Sequence, residues 1–231
     1  MILIMNVSDT TILKNLVNSE KLIKQSFKLR PIPFQKGYRF IKGKFPILLS
    51  APHAARTLRD DRLKIRENYV GSFVHILSKQ CEVYGIYTTH VIIDPNRYDF
   101  SNYKKKIKKL IDNRDIKLVI DIHGLHKSHT FDVDIGTYNY TSVLGKQKIV
   151  EHLKSSFKKH GFKKISENFF TLESRDTITN FSYKLGVPSL QLEIHKSHRY
   201  LRFKKENALR MFKALSETIE IIKQDFAEVE N

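Results

Sequence analysis

The sequence predicts an α/β fold: a single domain on a mixed, mostly parallel sheet with helices on both faces, an α/β/α sandwich. Three observations predict it. Short apolar runs at residues 45–50, 117–124 and 189–194 alternate with stretches whose apolar residues recur at helical spacing, the pattern of strands joined by crossover helices. Each of those runs reaches a chemistry-bearing residue at its C-terminal end, at His53, at His123 and at Glu193. In open α/β sheets that is the edge where ligands bind. Finally, 231 residues at 41% hydrophobic content suffice for one continuous core, whereas two domains would be cramped. The expected layout is a packing segment at 1–44, a core at 45–202 and a C-terminal helix at 203–231.

Taken in order, residues 9–27 predict a helix, with Asp9, Thr10 and Thr11 available as caps and Ile12, Leu16, Ile23 and Phe27 near one stripe. Pro31, Pro33, Gly37 and Gly43 make the next stretch turn-rich. After the strand at 45–50 come Ala51, Pro52 and His53, then a polar loop over 54–65. Tyr69, Val70, Phe73, Ile76 and Leu77 predict a helix over 67–79, with Glu67 in its first turn. Residues 83–94 read as one long strand or two short ones. The helix at 102–113 sets Tyr103, Ile107, Leu110 and Ile111 against the lysines at 104–106, 108 and 109.

The central strand at 117–124 puts Ile120 and Ile122 on one face and Asp121 and His123 on the other, with Gly124 free to turn. A polar connection over 125–141, carrying His126, His129, Asp132 and Asp134, holds a strand near 131–137. A helix follows at 143–160. Residues 162–180 read as irregular and 181–185 as ambiguous. The strand at 189–194 carries Glu193 between Gln191 and His195. The helix at 205–227 has the cleanest period in the chain: Ala208, Phe212, Leu215, Ile219, Ile222 and Phe226.

No apolar run approaches the roughly 20 residues of a membrane span, and residues 1–5 are too short for a signal-peptide hydrophobic region, so the expected location is cytoplasmic. A lone Cys81 excludes an intrachain disulfide framework. The 41 basic against 24 acidic side chains, a formal charge of +17, favour anionic partners, although lysines interleaved at helical spacing also describe ordinary solvated faces.

Chemistry is concentrated at the strand ends. A catalytic zinc takes three protein ligands and leaves a fourth position for water. His53 and His123 offer two imidazoles. Glu67 is the leading third ligand, with Asp60 and Asp61 as competitors. Glu193 fits a general base, and Asp121 is placed to orient an imidazole. Arg97, after a strand, suits a substrate carboxylate or a polarised carbonyl. With Asn96, Thr177 and Arg199 it forms the candidate substrate-binding set. A rival reading is a non-catalytic nucleic-acid-binding domain, with lysines at 104–109 and 158–164 tracking phosphates.

Five motifs occur in an order that resembles the N-formylglutamate amidohydrolase family: Leu48-Leu49-Ser50-Ala51-Pro52-His53-Ala54, Ile93-Asp94-Pro95-Asn96-Arg97, Asp121-Ile122-His123-Gly124, Asp134-Ile135-Gly136-Thr137 and Leu190-Gln191-Leu192-Glu193-Ile194. That family is similar to the zinc carboxypeptidases. The resemblance spans about residues 45–202. It implies an α/β/α zinc hydrolase that cleaves a small, acidic N-acyl amino acid, with one Zn2+ per chain on His53, Glu67 and His123 and Glu193 as base. Two departures are visible. The position three after His53, where carboxypeptidases carry their acidic ligand, is Arg56. In place of the family's glycine-rich segment stands Thr171-Leu172-Glu173-Ser174-Arg175-Asp176-Thr177.

Overall fold

Helix α1 (Asp9–Ser26) starts one residue after Ser8, whose hydroxyl accepts the Thr11 amide and so takes the capping role expected of Asp9, Thr10 and Thr11. The computed structural model describes residues 7–26, 36–170 and 176–229; Phe27, Pro31, Pro33 and residues 171–175 lie outside them. β1 (Tyr38–Ile41) comes from the segment read as turns, and β2 (Phe45–Ala51) from the first apolar run. The polar loop after it is a hairpin, β3 (Thr57–Arg59) and β4 (Arg62–Lys64). Its two-residue turn has Asp60 and Asp61 both at positive φ, 49° and 58°, a conformation that aspartate tolerates better than most residues.

Helix α2 (Val70–Gln80) begins three residues later than the periodicity predicts, so Glu67 lies in the loop before it rather than in its first turn. The reason is tertiary. Glu20 of α1, only 2% exposed, accepts the Tyr69 amide at 3.1 Å and the Ser72 hydroxyl at 2.8 Å, and pairs with Arg66. A carboxylate from another helix thus caps α2 and fixes where its preceding loop ends.

β5 (Val83–Thr88) and β6 (Ile92–Ile93) resolve the 83–94 stretch into two strands in different sheets. Then follow α3 (Asn102–Asp112), β7 (Leu118–Leu125), β8 (Val133–Gly136), a 3-10 turn (Thr141–Val143), α4 (Lys148–Lys159), β9 (Ile165–Glu167), α5 (Ile178–Lys184), β10 (Ser189–His195), α6 (Lys196–Arg199) and α7 (Lys205–Val229). β9 and α5 fall in stretches read as irregular or ambiguous.

The main sheet runs β1-β5-β2-β7-β10-β8-β9. β5, β2, β7 and β10 are parallel, while β1 and β8 are antiparallel to their inner neighbours. Ile47, Leu49, Ile120, Ile122, Leu192 and Ile194 face α1, α2, α4 and α7; Leu48, Ile86 and Val119 face Tyr103, Ile107 and Leu110 of α3 and Ile178 of α5. The alternation read along the central strand therefore holds, with Asp121 and His123 on the α3 side. From β2 the chain passes through α2 to β5 on one side, then crosses through α3 to β7 on the other. The strand order reverses between β2 and β7, and the crevice there is where such sheets bind ligands.

One element of the rival nucleic-acid reading is corrected. Lys104 is fully buried, its ammonium 2.5 Å from Asp99 and bonded to the Asp176 carbonyl, and so faces away from any phosphate at the surface. Among the described residues no helix is long and apolar enough to cross a membrane.

Candidate metal centre

Two histidines enter the crevice from adjacent strands. His53 follows β2 and His123 lies near the end of β7, and both are 2% exposed. Their Nδ1 atoms are 3.1 Å apart. Glu67 spans the pair, Oε1 at 3.1 Å from His53 Nδ1 and Oε2 at 3.2 Å from His123 Nδ1. The Glu67 amide donates to the His53 carbonyl at 2.8 Å, and the Gly124 amide donates to Oε2 at 2.9 Å, so the carboxylate is held at both ends. His53, Glu67 and His123 are the one cluster of metal-ligating type among the described residues, their atoms within 4.8 Å of one another.

The far nitrogen of each ring has its own carboxylate. His53 Nε2 donates to Asp94 at 2.9 Å and His123 Nε2 to Asp121 at 2.8 Å. With those contacts made, both Nδ1 atoms are turned toward Glu67. Asp94 is held ionised, well below the usual carboxylate range: burial opposes this, but His53, the Arg59 guanidinium and the Asn96 amide outweigh it. Asp121 also accepts the Ser50 hydroxyl at 2.7 Å. The alternation argument anticipates Asp121. Nothing in the sequence marks Asp94 as an orienting group beyond the general need of a buried imidazole for a partner on its second nitrogen.

A cation already sits beside two members of the triad, His53 and Glu67. The Lys64 ammonium, carried in by β4, lies 2.7 Å from His53 Nδ1 and 2.9 Å from Glu67 Oε1. Electrostatics agree with geometry. Burial works against charge on Glu67, yet Lys64, His53 and His123 bring its pKa well below the ordinary value. Burial likewise works against protonated His123, yet Asp121 and Glu67 hold its pKa well above the ordinary value. Two imidazole nitrogens, a carboxylate and a surplus of negative charge fit a divalent ion such as zinc.

Glu193 on β10 is registered opposite His123 of β7 and Asp134 of β8. Gln191 donates to its Oε1 at 3.0 Å. Burial pushes its pKa up, with His123 opposing and Glu67 adding to the rise.

The remaining candidates are placed differently from expectation. Arg97 is exposed and pairs with Asp60 at 3.3 Å, so among the described contacts neither joins the triad. Asp61 sits in the exposed hairpin turn. Asn96 lies behind His123, its amide nitrogen 3.0 Å from Nε2 and its oxygen accepting the Ile178 amide. Thr177 caps α5 by accepting the Asn180 amide.

Arg199 is 5% exposed, and its guanidinium donates to the backbone carbonyls of Ile194 at 3.1 Å, Leu125 at 3.4 Å and Asn68. Those carbonyls lie one residue past Glu193, two past His123 and one past Glu67. The side chain expected to hold substrate ties the three site-bearing segments together instead. It also explains Gly124, which is extended within β7 rather than at a turn: a Cβ there would lie 2.4 Å from the Arg199 guanidinium carbon. Gly124→Ala is expected to lower stability by about 1–3 kcal/mol, the usual cost of overpacking, and to lower activity with it. A denaturation midpoint equal to wild type would contradict this.

Sheet order and triad together define a class: an α/β/α fold with a His–Glu–His cluster at its switch point. Solved structures of named hydrolases share that fold. They include N-formylglutamate amidohydrolase from Ralstonia eutropha, at 11% identity and TM-score 0.56 over 82% of this chain and 98% of that one. Succinylglutamate desuccinylase from Chromobacterium violaceum matches at 12% and 0.53 over 89% and 76%. A bacteriophage poly-gamma-glutamate hydrolase matches at 13% and 0.52 over 84% and 91%. No protein-family model and no curated protein matches the sequence.

Proposed function

We propose that this protein is a zinc-dependent amidohydrolase that cleaves the acyl C–N bond of a small, acidic N-acyl amino acid or a peptide-like relative of one. The observation that carries this reading is the meeting of His53 Nδ1, His123 Nδ1 and Glu67, with the Lys64 ammonium against His53 and Glu67 and with Glu193 on the next strand. Support also comes from the fold, which is shared with proteins named for amide hydrolysis.

A metal on the triad would supply Lewis-acid charge and acidify a water. The chain's own residues do the rest. Asp94 and Asp121 fix the two rings by accepting from Nε2, and the Gly124 amide fixes Glu67. Glu193, its basicity raised by burial, takes a proton from the attacking water and returns it to the departing nitrogen. The carbonyl carbon gains the water oxygen as the C–N bond breaks, leaving a carboxylate and an amine.

The test is hydrolysis of N-formyl-L-glutamate and a panel of N-acyl amino acids, with added zinc and after chelation. Amine release that needs the metal supports the reading, and no release from any member overturns it. Lys64 makes a separate prediction. Two like unit charges about 4 Å apart repel by about 4 kcal/mol at an effective dielectric of about 20, so Lys64→Met is expected to tighten zinc binding by at least about tenfold. Competition with a chromophoric chelator measures it, and weaker binding in the variant would contradict a shared cation position.

A further inference from the structure

Beyond Glu193, β10 continues to His195, and the step of two positions along the strand corresponds to roughly 7 Å. There the C-terminal end of β10 and the start of β8 border a cavity of about 340 Å³, lined in part by Asp132, Lys163, Lys164, His195, His198 and Lys204. We infer that this cavity is an oxyanion subsite of the proposed hydrolase, filled by the side-chain carboxylate of an acidic N-acyl amino acid. The inference rests on the functional reading above and adds the group that selects the substrate.

Of the residues that line the cavity, two have a buried ring nitrogen without a partner, His195 Nε2 and His198 Nδ1. The Ser197 amide donates to His195 Nδ1 at 3.2 Å, so Nδ1 is an acceptor and the ring proton sits on Nε2. His195 Nε2 is therefore a buried donor with nothing to donate to. A nitrogen that carries a proton does not ligate a metal, which leaves an acceptor-bearing ligand as its partner. His198 Nε2 meets the Asp132 carboxylate at 2.7 Å, which leaves Nδ1 directed elsewhere. An anion held beside it favours the doubly protonated His198 ring, in which Nδ1 donates as well.

The charge balance favours an anion over a neutral ligand. Asp132 is already committed to the Lys163 and Lys164 amides, at 3.1 and 3.0 Å, and to His198. Lys163, Lys164 and Lys204 line the cavity, and none of the three is ion-paired among the described residues. Cations around two unsatisfied imidazoles match a carboxylate or phosphate.

The experiment is a titration of the 15N-histidine-labelled protein with N-formyl-L-glutamate, with N-formyl-L-leucine and with inorganic phosphate, followed by NMR at the His195 and His198 rings. His195→Gln and the exposed Lys163→Ser provide independent variants. The expected result is a shift of both rings with N-formylglutamate and none with N-formylleucine, together with an at least about tenfold higher KM for N-formylglutamate in both variants at unchanged kcat. Rings that respond to neither N-formylglutamate nor phosphate overturn the subsite. A response to phosphate alone overturns the carboxylate assignment. A response to N-formylglutamate without hydrolysis supports the subsite and contradicts the amidohydrolase reading, so the two fail separately.

Discussion

Glu193→Gln is expected to lower kcat by about 10²- to 10⁴-fold, the usual weight of general acid–base assistance, while bound zinc and the fold are retained. Gln has the shape of Glu and keeps an acceptor for Gln191, so packing between β7 and β8 is undisturbed. Stability has a definite sign as well. Burial raises the Glu193 pKa in the fold, so its contribution is full below the unfolded carboxylate pKa and is lost as pH rises toward the folded value. A neutral side chain escapes that loss, and the variant should melt at or above the wild-type temperature at pH 7. Undiminished turnover would remove Glu193 as the base. Lost turnover with a collapsed melting temperature would assign it a structural role.

His123→Ala has the other large effect. The imidazole lies between Asp121 and Glu67, and its removal leaves two buried carboxylates without their shared partner. Breaking a buried charge pair costs about 3–5 kcal/mol, so the variant should unfold at distinctly lower denaturant. It should also stop responding to zinc. In wild type, free zinc at 100 times its dissociation constant adds about 2.7 kcal/mol of stability, seen as a rise in melting temperature. A variant that zinc still stabilises to the wild-type extent would show that His123 is no ligand.

What the sequence reveals follows from how local each determinant is. β7, β10 and α7 are legible because burial on fixed faces writes a period into the chain: Ile120 and Ile122 against Asp121 and His123, or Ala208 through Phe226 along α7. β1 has four residues and exists through its pairing with β5, and the β3–β4 hairpin turns on two aspartates rather than the glycine that would announce it. Within the site, His53, His123 and Glu193 stand at strand ends where fold class alone points. Lys64 and Asp94 reach His53 only through tertiary folding, from a hairpin and from a loop 41 residues on. Glu67 falls outside α2 because Glu20, 49 residues earlier than Tyr69, decides where that helix starts. Arg199 reads as a free cation in sequence and is consumed by three carbonyls in the fold. Positions fixed by backbone period are thus legible, and positions fixed by long-range hydrogen bonds are not.

The most direct measurement is zinc content by elemental mass spectrometry, on wild type and His123→Ala protein, each loaded with zinc and dialysed side by side. A three-ligand site predicts about one zinc per wild-type chain and only traces in the variant. Wild-type protein that retains no zinc after loading would contradict the metal centre and the hydrolytic reading built on it.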